Sequence, residues 1–204
     1  MVAGRTKVRA RAGGGFTLPE LLVTLAIVAI VVAFAGPAMH DFIMIQRLKG
    51  VNGELVTDLQ FARNEAVTRG KQVHMALHAG GTSSASCYTI YTHLNNAANA
   101  CDCTQPAGSR CPAGLAKELK TVEVPLSTTV QFGVMSGQVT YFYFEPVTGG
   151  IAVVSGDSPL AGPNQFVIYT LIDETKKLTT TVGTSGRPTV CQPSTSRVTG
   201  YPTC

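Results

Sequence analysis

Hydrophobic and polar positions divide this chain into three regimes. From Leu21 to Met39 it carries no charge and only Thr24 as a polar side chain. That run is close to the roughly 20 apolar residues that cross a bilayer as a helix. From Met39 to about Arg69, Leu48, Val51, Leu55, Leu59, Ala62 and Ala66 recur in steps of three and four, which places them on one helix face. Glu54, Asp58, Arg63, Glu65 and Arg69 are expected on the opposite face, with Glu65 and Arg69 paired across one turn. The two segments together predict one long helix ending at Gly70. Pro37 should kink or locally melt it, because proline removes a backbone hydrogen bond. Gly36, Gly50 and Gly53 weaken it further.

Beyond Gly70 the period becomes two. Val73, Met75 and Leu77 alternate with His74, Ala76 and His78, the pattern of a half-buried strand. Further strands are expected at Tyr88 to Thr92, Thr129 to Phe132, Val139 to Phe144, Ile151 to Val154, Phe166 to Ile172 and Lys177 to Val182. Gly, Pro, Asn and Ser clusters separate them. Asp173 to Lys176 reads as a hairpin turn, and His93 to Gly114 and Ser155 to Gln165 as irregular surface loops. The implied class is α+β, a long N-terminal helix with a membrane half and an amphipathic half, packed on an antiparallel β-sheet body. There is no internal repeat.

Charge and cysteine usage sharpen this picture. The chain has 16 Lys+Arg and 12 Asp+Glu, a net of +4. Arg5, Lys7, Arg9 and Arg11 sit ahead of the glycine triplet Gly13 to Gly15 with no acid among them, so the remainder is neutral. The excess positive charge therefore belongs to a leader held in the cytoplasm and does not mark a nucleic-acid-binding body. Cys87, Cys101, Cys103, Cys111, Cys191 and Cys204 all lie beyond the apolar run, on the side expected to be exported, where they should pair as disulfides. Their connectivity is open from sequence. The favoured pairing is Cys191–Cys204, stapling the tail, with the other four tying together the loop from Cys87 to Cys111. A zinc site at Cys101-Asp102-Cys103 and Cys111 is the alternative, though it lacks a CxxC pair and a convincing histidine.

The junction Gly15-Phe16-Thr17-Leu18-Pro19-Glu20-Leu21 carries the most information. Glu20 is a single carboxylate at the mouth of an apolar run, where an ionised group is costly and generally has a task. A conventional signal peptide cut at Ala33-Phe34-Ala35, or a plain anchor, accounts for the basic and apolar segments but leaves Glu20 and the Gly-Phe junction unexplained. The junction resembles the class III signal of type IV pilins and type II secretion pseudopilins. Pro19 departs from the aliphatic common there, mildly, since proline is tolerated in a first helical turn. The stretch Asp58-Leu59-Gln60-Phe61-Ala62-Arg63-Asn64-Glu65-Ala66-Val67-Thr68-Arg69, with Gly186-Arg187-Pro188 and Cys191 near the end, narrows the resemblance to the GspH/FimT branch.

The resemblance implies cleavage after Gly15, methylation of the new N-terminal Phe16, and a register role for Glu20 against the amine of Phe16 on the same or the next chain. The implied organisation is a leader over 1–15, a transmembrane helix half over 16–39, an amphipathic half over 40–72 and a disulfide-bearing, β-rich periplasmic domain over 73–204. The implied partners are a prepilin peptidase, an inner-membrane assembly platform, membrane lipid, and other pseudopilins or minor pilins. The expected function is that of an H-type pseudopilin of type II secretion, or else a FimT-like minor pilin priming a type IV pilus. DNA uptake would involve Lys176, Lys177, Arg187 and Arg197. Against nucleic acid stand the neutral mature chain and Thr189, where DNA-binding relatives tend to carry a second arginine. No nucleophile elbow or phosphate-cradling loop occurs, and His74 and His78 share a strand face without a third ligand. No enzyme activity, cofactor or metal is expected.

Overall fold

The computed structural model describes residues 15–81, 84–93, 101–135, 140–155, 158–159 and 165–204; of these, 34–38, 154–155 and 158–159 are described at the backbone level. The leader through residue 14, and the middle of the expected loop after His93, lie outside the described residues. The chain divides into two units, residues 1–42 and 43–204. Helix α1, Leu18–Arg69, supplies residues to both. It is continuous over 52 residues, so the expected melting at Pro37 does not interrupt it. Among the described residues, no helix is long and apolar enough to cross a membrane. Residues 34–38 fall within the apolar run seen in the sequence.

Among the described residues, the second unit contains ten strands in two antiparallel sheets. The strands are β1 Val73–His78, β2 Ser86–His93, β3 Ala116–Val124, β4 Gln131–Val134, β5 Tyr141–Phe144, β6 Ile151–Ser155, β7 Ser158–Pro159, β8 Phe166–Asp173, β9 Lys176–Val182 and β10 Pro188–Cys191. One sheet runs β3-β2-β1-β5-β6-β7 and the other β10-β9-β8-β4. The hairpin expected at Asp173 to Lys176 joins β8 to β9, with Asp173 opposite Lys176. Ser86 of β2 ties the sheets together, its Oγ accepting from the Phe132 amide of β4 at 3.0 Å.

Period-two alternation sets the core. Val73, Met75 and Leu77 of β1 point inward, as do Tyr88 and Ile90 of β2, Phe142 and Phe144 of β5, and Phe166 and Ile168 of β8. They meet the α1 stripe, where Leu48, Leu55, Leu59, Ala62 and Ala66 are fully buried and Val51 partly so. Burial of this stripe, rather than intrinsic propensity, holds the outer helix in place. On the opposite face of the first sheet, Tyr91 with Cys101 and Ala116 forms a small second core.

Three strands escape a reading by hydrophobic pattern, among them the two-residue β7, which lies in the stretch expected to be an irregular loop and pairs with β6. β3 is an edge strand carrying Lys117, Glu118, Lys120 and Glu123, and charge on an edge is a known guard against aggregation rather than a sign of loop. β10 begins with Pro188, which is tolerated as the first residue of an edge strand.

Candidate assembly surface

At the start of α1, Pro19 and Glu20 occupy the first turn. There the missing proline N–H costs nothing, and the helix dipole favours the carboxylate. Among the described residues Glu20 forms no ion pair. Every large apolar side chain described as exposed from Phe16 to Val32 leaves more than half its surface uncovered, Phe16 most at 81%. A monomer in water does not sustain an apolar surface of that extent, so this segment requires lipid or other helices around it.

The outer helix corrects one expectation. Asp58 does not face solvent but is 4% exposed and enters the interior. Its Oδ2 accepts from the Tyr88 hydroxyl at 2.8 Å and its Oδ1 from Lys120 Nζ at 2.7 Å, which ties α1 to β2 and β3. Burial first, then this hydrogen bond, pushes the Tyr88 hydroxyl well above its ordinary range. For Lys120, desolvation is the largest single influence and opposes its charge; the bonds and charges of Asp58 and Glu54 together outweigh it and raise its pKa. Asn52 is a second buried polar group on α1, its Oδ1 accepting from Thr170 of β8 and Thr180 of β9, each at 2.9 Å. The expected pair Glu65–Arg69 is present.

Arg63 has an unusual seat. Its Nε donates to the Gly149 carbonyl at 3.0 Å. Gly149 lies in the turn between β5 and β6, and Gly186 in the turn between β9 and β10, with φ of +64° and +70°. A Cβ on Gly149 would come within 3.1 Å of the guanidinium, and one on Gly186 would collide with the Gly149 carbonyl. Glycine is needed at both positions for conformation and for space. One hairpin from each sheet thus closes on one arginine of α1. The Gly186-Arg187 element of the sequence acquires its meaning here: Gly186 permits the closure, and Arg187 beside it lines a cleft of about 300 Å³ with Gln60, Arg63 and Asn64.

The cysteines form three disulfides, Cys87–Cys103, Cys101–Cys111 and Cys191–Cys204. The zinc alternative falls, because its three cysteines are consumed in two of these bonds. The other basic candidates fall in two places. Lys176 and Lys177 pair with Asp173 and Glu174 at 3.3 and 3.4 Å, and Lys177 also lies over the Tyr169 ring. Thr175, by side chain first and backbone second, holds the Asp173 pKa below its usual value. Arg197 is anchored through its backbone amide to Thr175. Arg187 stands apart from these three at the α1 cleft, so the two lysines and the Arg197 backbone meet at the β8–β9 turn and Arg187 does not join them.

His74 is buried and His78 exposed, so the two do not act as a pair. His74 instead packs edge-on to His93, with ring centroids 4.2 Å apart, between Tyr91 and Tyr143. Burial, and secondarily His93, lowers its pKa to about 3.

Asp58, Asn52 and the seat of Arg63 were legible only in part. A polar residue one step from an apolar stripe, as Asp58 is from Leu59, signals the edge of the buried face, but its partners on β2 and β3 are far away in sequence.

The molecule is a pilin-like α+β protein, a long N-terminal helix packed on antiparallel sheets. A family model described as Type II transport protein GspH matches residues 53–198, and one described as the prokaryotic N-terminal methylation motif matches residues 11–36. The chain belongs to the GspH family and carries a prepilin-type signal. No curated protein matches it. Two crystal structures of the Pseudomonas aeruginosa (strain PAO1) type IV minor pilin FimU are similar at 16% identity. The P65 form has a TM-score of 0.45, covering 72% of this chain and 94% of that one. The P21 form has a TM-score of 0.47, covering 74% and 92%.

Proposed function

We propose that this chain is an H-type pseudopilin of a type II secretion system. It is made as an inner-membrane precursor with its leader in the cytoplasm and its C-terminal body in the periplasm. A prepilin peptidase cuts after Gly15 and methylates Phe16. An inner-membrane platform then assembles it with other pseudopilins into a periplasmic filament that drives protein secretion. Its role is assembly rather than catalysis.

The observation that carries this reading is the succession, on one chain, of a methylation motif over residues 11–36 and a GspH match over residues 53–198. Two physical arguments support it. The uncharged run from Leu21 to Met39 has the length of a membrane span, and its described side chains are uncovered. The disulfides suit an oxidising compartment.

The test has two parts. Mass spectrometry of the mature protein should find N-methylated Phe16 at the N-terminus; an unmodified N-terminus at Gly36 would instead mean a released periplasmic protein. A photo-crosslinker at Gln60, used in cells, should capture other secretion pseudopilins. Capture of type IV pilus minor pilins in their place would move the chain to pilus priming and sink the secretion assignment.

A further inference from the structure

On outer α1, exposed Glu54 and exposed Arg69 bracket a stretch whose exposed positions carry no charge: Thr57, Gln60, Phe61, Asn64, Val67 and Thr68. Phe61 and Val67 leave 37% and 50% of their surface to water. At its edge opens the cleft of about 300 Å³ lined by Gln60, Arg63, Asn64, Gly186, Arg187 and Pro188. Two guanidinium groups and two side-chain amides line this cleft, and no carboxylate does. Arg63 is held in place by the Gly149 carbonyl and the two hairpin turns, so its cost of ordering is already met. Among the described residues neither arginine forms an ion pair.

The rest of the body shows the complementary pattern. Every side-chain carboxylate described between residues 43 and 204 has a partner on its own chain, from Glu54 and Asp58 on Lys120 to Asp173 and Glu174 on the β8–β9 turn. Among the described residues, a second copy of this body therefore has no uncommitted side-chain acid to offer. A planar anion suits the guanidinium fork, which binds carboxylate through two parallel hydrogen bonds. A nucleic-acid backbone suits it poorly, since affinity there comes from neutralising many phosphates, and Lys176 and Lys177, at the other end of β9, pair with acids of their own turn.

We propose that this cleft receives an aspartate or glutamate side chain from a neighbouring pilin-type subunit of different sequence, which rests on the assembly reading above. Arg187 is the pairing cation and Arg63 the fixed second donor. Phe61 and Val67 form the apolar surface around the contact, and the arginine cleft selects which subunit docks there.

The full-length chain tests this in its own cells, with the photo-crosslinker at Gln60 and, as a control, at Leu25 in the apolar run. The captured peptide should contain an Asp or Glu. Arg187→Glu should lower the Gln60 crosslink about tenfold, Arg187→Lys should lower it less, and the partner's acid changed to Arg should restore it in the Arg187→Glu chain. Formation of the Cys191–Cys204 bond in each variant reports that the tail has folded. An unchanged Gln60 crosslink in a folded Arg187→Glu chain overturns the inference. A nuclease-sensitive adduct at Gln60 overturns it in favour of a polyanion. If Leu25 also captures no pilin, the assembly reading itself fails; if Leu25 captures pilins while Gln60 ignores Arg187, only the docking inference does.

Discussion

Buried titratable groups are where single residues set the behaviour of this body. His74 lies on the outward face of β1, roofed by Tyr91, Tyr143 and His93, and burial takes its pKa down to about 3. The unfolded chain takes up that proton near pH 6.5 and the folded chain only near 3. Between those values the unfolded state binds more protons, so folding stability falls as pH falls and is fully present above about 6.5. Desolvation likewise lowers His93, so it adds in the same direction, while the hydroxyls of Tyr91 and Tyr143, pushed up mainly by burial, stay neutral throughout. Taking the full-length chain in detergent from pH 7 to 5 should cost about 2 kcal/mol through His74. Urea midpoints for wild type and His74→Phe at both pH values check this: the variant should lose less on acidification. Equal losses would show that His74 is not the proton-sensitive group. The alternation of β1 places His74 on the outward face, but the rings that cover it come from β2 and β5, and the pattern of β1 alone does not say which strands flank it.

At the scale of elements, the joint between α1 and the two sheets combines an apolar stripe with three polar pins. The stripe was legible because its steps of three and four appear in any wheel of the sequence. The pins were not. Asp58 reads as one more surface charge until β3 supplies Lys120, and β3 itself hides behind its charged residues. Nothing in the local sequence marks Asn52, whose amide oxygen accepts from hydroxyls on two adjacent strands, more than a hundred residues away. Asn52→Ala should therefore cost roughly 1–3 kcal/mol, because it leaves Thr170 and Thr180 buried without that acceptor. A urea titration should show a lower midpoint with an unchanged slope. Adding Thr170→Val and Thr180→Val should recover part of the loss, since removing both sides of a buried hydrogen bond costs less than removing one. If the added valines recover nothing, the cost is packing and the pin is not a hydrogen-bond effect.

For the molecule as a whole, the proposed function turns on how an N-terminal helix finds its place among others, and Glu20 is the group on which that depends. Apolar side chains such as Leu22, Leu25 and Val28 pack with little preference for one axial register over the next, since any slid arrangement still buries hydrocarbon. A carboxylate breaks that degeneracy. In a lipid-facing or helix-packed setting of low dielectric it is stable only where a cation meets it, and the group the processed chain would supply is the α-amine of Phe16, on the same or the next subunit. The isolated chain leaves Glu20 in its first helical turn with no described ion-pair partner, as an intermolecular role requires. On the proposed function, cleavage is set by the Gly15–Phe16 junction rather than by this charge, so Glu20→Ala should still yield a mature protein beginning with methylated Phe16. Filament incorporation, read from the yield of pilin crosslinks at Leu25, should fall by about tenfold or more, because out-of-register packings are no longer penalised. Glu20→Asp, with its carboxylate one methylene shorter, should fall between wild type and Glu20→Ala. Should Glu20→Ala assemble as well as wild type while remaining correctly cut, register is set by the outer body, and the arginine cleft becomes the better place to look for it.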